Sequence, residues 1–344
     1  MTNEEMTRVR FAGKETVSLE RAPLPKDVSQ GEVLIRVQAC GICGTEISQF
    51  KGRWPQPKFT PGHECAGTVV RSSSADLDVE ERVAVIPLFG CGTCRYCVGG
   101  RANLCAAGGV LGEVRDGAMA THMSVPAQLC RKIPDALSFE EAALLEPLSV
   151  AVHGLRRCGD AAGRTIAVVG GGAVGLMFVQ TAKAMGASRV ICAAKHDFQG
   201  KLARRLGADV VVPASGSAEA AGGEADVAVD TAGGRGEGLG LAMKLVRRGG
   251  TVVAVGGYRG LAGVDMWKVV RDELTLVGAF CYTSADGTHD MDRALQLCVE
   301  QTVALEPLVS HRFELSRAQE AFETAADKAG TRSVRVLLMC GQRT

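Results

Sequence analysis

Cys43, His63 and Glu64 place a thiol, an imidazole and a carboxylate within one short stretch, CGICGTEISQFKGRWPQPKFTPGHE, from Cys40 to Glu64. Sulfur and imidazole nitrogen are donors that borderline-soft Zn²⁺ prefers. Glu64 can add an oxygen to such an ion or stand behind it as a hydrogen-bond partner. Thr45, two residues past the thiol, then carries a hydroxyl close to the metal. Gly41 and Gly44 leave the backbone free to turn around an ion, and the bend at Pro61-Gly62 presents His63 and Glu64. By itself this stretch is equally compatible with packing and surface residues, and the rest of the chain decides.

A second group of donors is more specific. Cys91, Cys94, Cys97 and Cys105 in CGTCRYCVGGRANLC follow Cys-x2-Cys-x2-Cys-x7-Cys. This spacing lets one small loop wrap a tetrahedral ion with four sulfurs, leaving no position open for water, so the site is structural. An iron–sulfur cluster is the competing reading, but the second half of a ferredoxin run, with its Cys-Pro, is missing.

The third group binds phosphate. Gly170, Gly172 and Gly175, with Val174 between the last two, form G-x-G-x-x-G directly after an apolar strand, TIAVV, and directly before a helical pattern. That context is the dinucleotide fingerprint, with the pyrophosphate meeting a helix N-terminus. An NAD-binding unit ends its second strand in Asp or Glu about 20 residues on. Here Ala194 stands nineteen positions beyond Gly175, followed by Lys195 and His196. Without the carboxylate nothing repels a 2′-phosphate, and Lys195 attracts one, so NADP(H) is expected. A register slip that gave Asp197 the acidic role would restore NAD(H).

These groups need scaffolds. Short alternating runs from about Val17 to Val37 (notably EVLIRVQA), then AGTVV, ERVAVIPL and the stretch from Gly117 to Pro134, predict an irregular β-rich domain. Ser138 with Glu141 three residues on predicts a capped helix through FEEAALLEPLSVAVHGLRRC. That helix carries Glu146 among apolar residues, where a carboxylate needs a cation or metal if buried, or else faces solvent at the break before Pro147. His153 is either a further polar contact or a packed core histidine. From about Ala161 strands and helices alternate, which predicts a doubly wound parallel sheet, an α/β fold. Loops at its strand ends, around Asp230-Thr231 and Val255-Gly256, are expected to line the cofactor. After Met291 two helices, a short ALEPLVSHRFEL segment and a last strand, RSVRVLLMC, are expected to return to the first domain. The expected boundaries are 1–156, 157–289 and 290–344.

Composition bounds the partners. The 344 residues suit about two domains. With 39 Lys and Arg against 38 Asp and Glu the formal net charge is +1, which offers no field for nucleic acid or an anionic membrane. No apolar run approaches a membrane span, and the charged start MTNEEMTRVR is unlike an export signal, so a cytoplasmic protein is expected. The 13 cysteines then read as metal ligands and reduced thiols rather than disulfides. The ASGSAEAAGGE loop from Ala214 to Glu224 is the one low-complexity segment.

Taken in order, GICGTE, PGHE, the four-cysteine lobe, EPLSVAVH and the Rossmann glycines resemble the zinc-dependent medium-chain alcohol dehydrogenases over nearly the whole chain. EPLSV with Glu146, and GAFCY around Phe280, are most similar to the polyol and sorbitol dehydrogenase branch. The resemblance implies a GroES-like catalytic domain, a Rossmann domain, and one catalytic and one structural zinc. It further implies that Cys43, His63 and Glu64 or Glu146 hold the catalytic zinc with a water. Thr45 would lie on the proton path, and Arg335 would reach the cofactor pyrophosphate. Thr231, Val255 and Phe280 are placed with the cofactor. The activity implied is hydride transfer between a secondary alcohol or polyol, or the matching ketone, and NADP(H), in a homodimer or homotetramer. Three departures stand out: Glu46 where the family usually has Asp, Ser48 where many members carry a relay histidine, and Cys281 in place of an arginine. Two rival readings are a zinc-free quinone or enone reductase of the same superfamily and a non-enzymatic NADPH-binding redox sensor.

Overall fold

The computed structural model describes residues 5–215, 223–258 and 260–341. Two compact units emerge, Met1–Glu146 with Leu305–Thr344, and Pro147–Ala304. The changeovers therefore lie at Glu146/Pro147 and Ala304/Leu305 rather than at the expected 156 and 289. Packing explains the shift. Most of the helix Leu145–Arg156 belongs with the second unit, where a Cβ at Gly154 would fall 2.4 Å from the Phe178 ring and His153 Nδ1 lies 3.0 Å from Asp290 Oδ2. The helix Asp290–Val299 stays there for the same reason, burying Asp290, Met291, Ala294 and Cys298.

In the first unit a seven-stranded sheet runs Val309–Glu314, Arg335–Met339, Glu32–Gly41, Glu64–Ser72, Arg82–Val85 and Cys130–Lys132, with His122–Pro126 also paired to Glu32–Gly41. Glu32–Gly41 is the centre, and Val33, Leu34, Ile35 and Val37 are buried as a strand covered on both faces should be. Its register does the positioning. Gly41 lies opposite Glu64 on one side and opposite Leu337 on the other. Cys43, just past the strand end, thus meets Glu64, and Arg335 is brought to the same spot from the far end of the chain. Gly41 leaves room for the Glu64 carboxylate in this position, since a Cβ there would fall 2.2 Å from Glu64 Oε2 and displace it. An additional strand, Glu5–Gly13, pairs antiparallel with Thr16–Pro23, ahead of the Val17 start expected from sequence.

The second unit is a six-stranded parallel sheet in the order Val210–Pro213, Arg189–Ala194, Thr165–Val169, Ala225–Asp230, Val246–Ala254, Thr275–Gly278. Strand order reverses beside Thr165–Val169, the switch point where doubly wound sheets bind ligands. Ala167, Val169, Ala228 and Val252 pack there with Leu239, Ala242 and Met243 of the helix Glu237–Leu245. That helix ends sooner than EGLGLAMKLVRRGG suggested, and VRR already belongs to the strand Val246–Ala254. The change comes at Val246, which is already extended (φ −81°, ψ 140°) and pairs with Ala225 of the neighbouring strand. The long helix expected after Ser138 is two pieces, Phe139–Ala143 and Leu145–Arg156. Pro147 forces the break, since its ring is tolerated only in a first turn. The Ser138 capping box itself forms, Glu141 N donating to Ser138 Oγ at 3.2 Å. Residues 216–222 of the low-complexity loop, and residues 1–4, lie outside the described residues.

Candidate functional site

Ligand atoms of Cys43, His63 and Glu64 lie within 4.8 Å of one another. Cys43 immediately precedes the helix Gly44–Phe50, and Glu46 in the first turn reaches back to both other positions. Its Oε2 accepts from Cys43 N at 3.1 Å, and its Oε1 lies 2.7 Å from His63 Nδ1. That leaves Nε2 of His63 as the ring nitrogen for an ion. Burial opposes charge on Glu46, but the His63 imidazole outweighs it and holds the carboxyl below its ordinary range. Burial likewise opposes charge on His63, and Glu46 and then Cys43 overcome it and hold the imidazole above its ordinary range. Thr45 Oγ1 is 3.9 Å from Cys43 Sγ. Gly62, at φ +102°, makes the bend before His63 and leaves no room for a side chain, since a Cβ would fall 2.8 Å from Cys40 Sγ.

Glu64 is 1 % exposed and paired with Arg335, whose Nη1 lies 2.8 Å from each carboxylate oxygen and also donates to Ile42 O at 3.0 Å. Burial lowers the Arg335 guanidinium, yet Glu64 foremost, then Cys43, Glu146 and Glu46, carry it above its ordinary value. Three carboxylates, Glu46, Glu64 and Glu146, are thus buried around one thiol and one arginine. This excess of acidic and soft donors suits a divalent cation, and a group of three leaves a fourth tetrahedral position for a reacting oxygen.

In the lobe, the sulfurs of Cys91, Cys94, Cys97 and Cys105 also lie within 4.8 Å of one another. Four sulfurs about 2.3 Å from a tetrahedral ion sit about 3.8 Å apart, and the observed Cys94–Cys97 and Cys91–Cys97 separations of 3.6 and 4.0 Å bracket that. Backbone and hydroxyl donation from Thr93 hold the Cys91 thiol down to about 6, and Cys97, starved of water, is pushed up to about 11. The donor set fits a closed zinc site. Cys97→Ser should release about one zinc per chain and open the lobe to trypsin at Arg95 and Arg101, read by metal analysis and limited proteolysis. Unchanged zinc content with an intact lobe would contradict it.

In the second unit the three motif glycines divide their work. A Cβ at Gly170 (φ +114°) would fall 2.6 Å from Thr231 Oγ1, and one at Gly175 would fall 1.8 Å from Gly170 O. Both are packing requirements. Gly172 precedes the helix Ala173–Ala184, and a Cβ there would meet nothing within 4 Å, so this is the glycine whose bare backbone an incoming phosphate can approach. Thr231 Oγ1 donates to Val169 O at 2.9 Å, and Val255 N to Asp230 O at 3.0 Å, tying the strand-end loops together. The strand Arg189–Ala194 ends where expected. Lys195 is exposed, His196 precedes the helix Asp197–Arg205 and stacks on Phe198, and Asp197 lies within that helix rather than at the strand end.

Residues 29–135 match the alcohol dehydrogenase GroES-like domain, and residues 173–300 match the zinc-binding dehydrogenase domain. Sorbitol dehydrogenase of Ovis aries is 32% identical, covering 95% of this chain and 94% of its own. Sorbitol dehydrogenase of Bacillus subtilis is 34% identical, covering 90% of each. The chain belongs to the zinc-dependent medium-chain alcohol dehydrogenases, in their polyol branch. It is an enzyme, an oxidoreductase of that class. A protein described as a zinc-binding dehydrogenase, from Sinorhizobium meliloti 1021 and solved bound to NADP, superimposes with a TM-score of 0.88 at 30% identity, over 98% of this chain and 99% of that one.

In this dehydrogenase the structure gathers Cys43, His63 and Glu64, while Glu146, though 7 % exposed, is not within that group. Arg335, expected at a cofactor phosphate, is committed through Nη1 to Glu64 and Ile42, and its buried Nε has no hydrogen-bond partner among the described residues. His153 is a core histidine paired with Asp290. Tyr282 is 1 % exposed and packs edge-on against His289, while Phe280 is 57 % exposed. The bridging role of Glu46 was half visible in sequence, because Cys43-x-x-Glu46 has the spacing of a capping box. The Glu64–Arg335 pair had no such signal.

Proposed function

We propose that this dehydrogenase transfers hydride between a secondary alcohol or polyol, or the matching ketone, and NADP(H), using one zinc at Cys43, His63 and Glu64 and a second in the four-cysteine lobe. The contrast between the two donor groups carries the reading: three mixed donors leave a position open, and four sulfurs leave none. Zinc bound at the first group supplies Lewis acidity, which lowers the pKa of a coordinated hydroxyl toward neutrality. NADP⁺ supplies the hydride acceptor. The protein's own residues do the rest. Glu46 fixes the His63 ring with Nε2 forward, and Arg335 balances the charge of Glu64. Thr45 takes the proton from the substrate hydroxyl and hands it to water, since Ser48 Oγ donates to Gly44 O at 2.8 Å. The complete donor groups argue against the zinc-free reductase. The sensor has less to work with: burial pushes the Cys130, Cys192 and Cys340 thiols up to about 12 and Cys65 higher still, so these four thiols are poor nucleophiles.

Ala194 and Lys195 support the NADP(H) preference. Ala194→Asp should shift the kcat/KM ratio toward NAD⁺ by about 10- to 100-fold, because a carboxylate is set against the 2′-phosphate. Kinetics with both coenzymes read this, and a wild type already favouring NAD⁺ would refute the preference. Steady-state turnover on secondary alcohols, polyols and cyclitols, before and after chelation, tests the whole reading. A homo-oligomer is proposed through the sheet edge Thr275–Gly278, where Leu276 is exposed, with Met266, Trp267 and Val270 exposed on the helix Met266–Arg271 that precedes it in the chain. No helix among the described residues is long and apolar enough to cross a membrane.

A further inference from the structure

Asp230 ties together two loops, residues 231–236 and 255–258, that leave the carboxyl ends of neighbouring parallel strands. It is the last residue of the strand Ala225–Asp230 and is fully buried. Its backbone oxygen accepts from Val255 N and Gly256 N, both at 3.0 Å, in the loop after Val246–Ala254. Its Oδ1 accepts from Ala232 N at 2.8 Å in its own loop, and its Oδ2 accepts from the Tyr258 hydroxyl at 2.7 Å. Between these anchors the two backbones are stacked. Gly234 N donates to Gly257 O at 2.9 Å, and a Cβ at Gly256 would fall 2.3 Å from Gly233 N.

The glycines of both loops offer no side chains to brace them, so Asp230 and Tyr258 supply the brace. The Tyr258 ring packs against the core that holds Leu239, Ala242 and Val252, which aims its hydroxyl at the carboxylate. Burial pushes the Asp230 carboxyl above its ordinary range in spite of the donors from Tyr258, Ala232 and Gly233, so losing one of them is costly. Position tells what the loops serve. Thr231 N donates to Val169 O at 2.9 Å, and a Cβ at Gly170 would fall 2.6 Å from Thr231 Oγ1, so the first loop abuts the glycine turn. A doubly wound sheet of this order is two mononucleotide-binding halves, and the adenosine ribose belongs at the end of its second strand, here Arg189–Ala194. Ala225–Asp230 and Val246–Ala254 lie across Thr165–Val169 from that strand, in the half left for the nicotinamide nucleotide.

We propose that Tyr258 and Asp230 are positioning residues for the nicotinamide half of the coenzyme, and that the hydrogen bond between them holds the two loops at the separation this nucleotide requires. The assignment rests on the dehydrogenase reading above. It adds a pair that acts through the loops and leaves the adenosine half of the coenzyme unaffected.

The test measures dissociation constants for NADP⁺ and for 2′,5′-ADP, which carries the adenosine half alone, and kcat on the best alcohol of the panel above. The proteins are the wild type, Tyr258→Phe, Asp230→Asn and the double variant, each checked by a thermal melt. Tyr258→Phe keeps the ring and its packing. It should weaken NADP⁺ about tenfold and leave 2′,5′-ADP within about twofold, as expected for loss of one charge-assisted hydrogen bond. Its kcat should fall about tenfold too, since hydride transfer depends on how the nicotinamide ring is placed. The double variant should lose no more than the worse single variant, because the two residues act as one unit. Both ligands weakened alike, or NADP⁺ affinity and kcat unchanged in the folded single variants, would overturn the assignment and leave the dehydrogenase reading intact. A wild type that binds NAD⁺ in place of NADP⁺ would overturn the coenzyme preference alone, and NAD⁺ with 5′-AMP then gives the same comparison. A wild type that binds neither coenzyme would overturn both the assignment and the dehydrogenase reading.

Discussion

Cys43→Ser should lower turnover by about a thousandfold or more and release about one zinc ion per chain, while coenzyme still binds. The size follows from what is lost. Polarisation of the substrate oxygen by a metal is worth several kcal/mol, and every 1.4 kcal/mol is about a factor of ten in rate. Serine keeps the shape but its hydroxyl does not ionise near neutrality, so the thiolate that anchors the ion disappears. The loss also leaves Glu46, Glu64 and His63 buried without the cation that their arrangement suits. A urea melt followed through Trp54, which lies in the same unit as Cys43, separates this outcome from unfolding, and coenzyme titration reports on the glycine turn at Gly170 to Gly175 in the other unit. Full zinc content together with wild-type turnover in Cys43→Ser would refute the metal assignment.

Arg335→Leu should cost the first unit about 3–5 kcal/mol, the usual penalty for stranding a buried charge. Arg335 is 4 % exposed and is the buried cation that answers Glu64, at 2.8 Å. Leucine fills much of the same space, so the loss is electrostatic rather than steric. The chain has two tryptophans, Trp54 in the first unit and Trp267 in the second, the latter 71 % exposed. In a Trp267→Phe background, urea unfolding followed by fluorescence therefore reports on the first unit alone. The double variant Glu64→Gln, Arg335→Leu should recover a large part of the stability, since neither charge then remains. A single variant that costs less than about 1 kcal/mol would show that the pair is balanced by water or by other groups.

Some of this was legible in the order of residues and some was not. The four-cysteine lobe, the glycine turn and the cap at Ser138 each lie within one short segment, where spacing is itself a statement about geometry: a loop of a given length can wrap an ion or meet a helix end in few ways. Cys43 and His63 were readable for a related reason, since glycines and the Pro61-Gly62 bend announce tight turns at both. The end of the second Rossmann strand at Ala194 followed from its distance to Gly175 and from the polar residues beyond it.

Other features depended on which strands became neighbours. Glu64 and Arg335 are 271 positions apart, and what joins them is a sheet order that sets Gly41 between Glu64 and Leu337. A slip of one residue in either pairing would turn the side chains to the opposite face. Spacing along the chain carries no trace of that choice. The unit boundary inside the helix Leu145–Arg156, and the close approach of Gly112 to Gly62, were likewise decided by packing of distant backbone. Sequence alone therefore determined the donor chemistry, the nucleotide turn and the fold class, because those reside in contiguous segments. Only the tertiary structure decided how buried charge is balanced around the donors, because that depends on strand register between segments far apart in the chain.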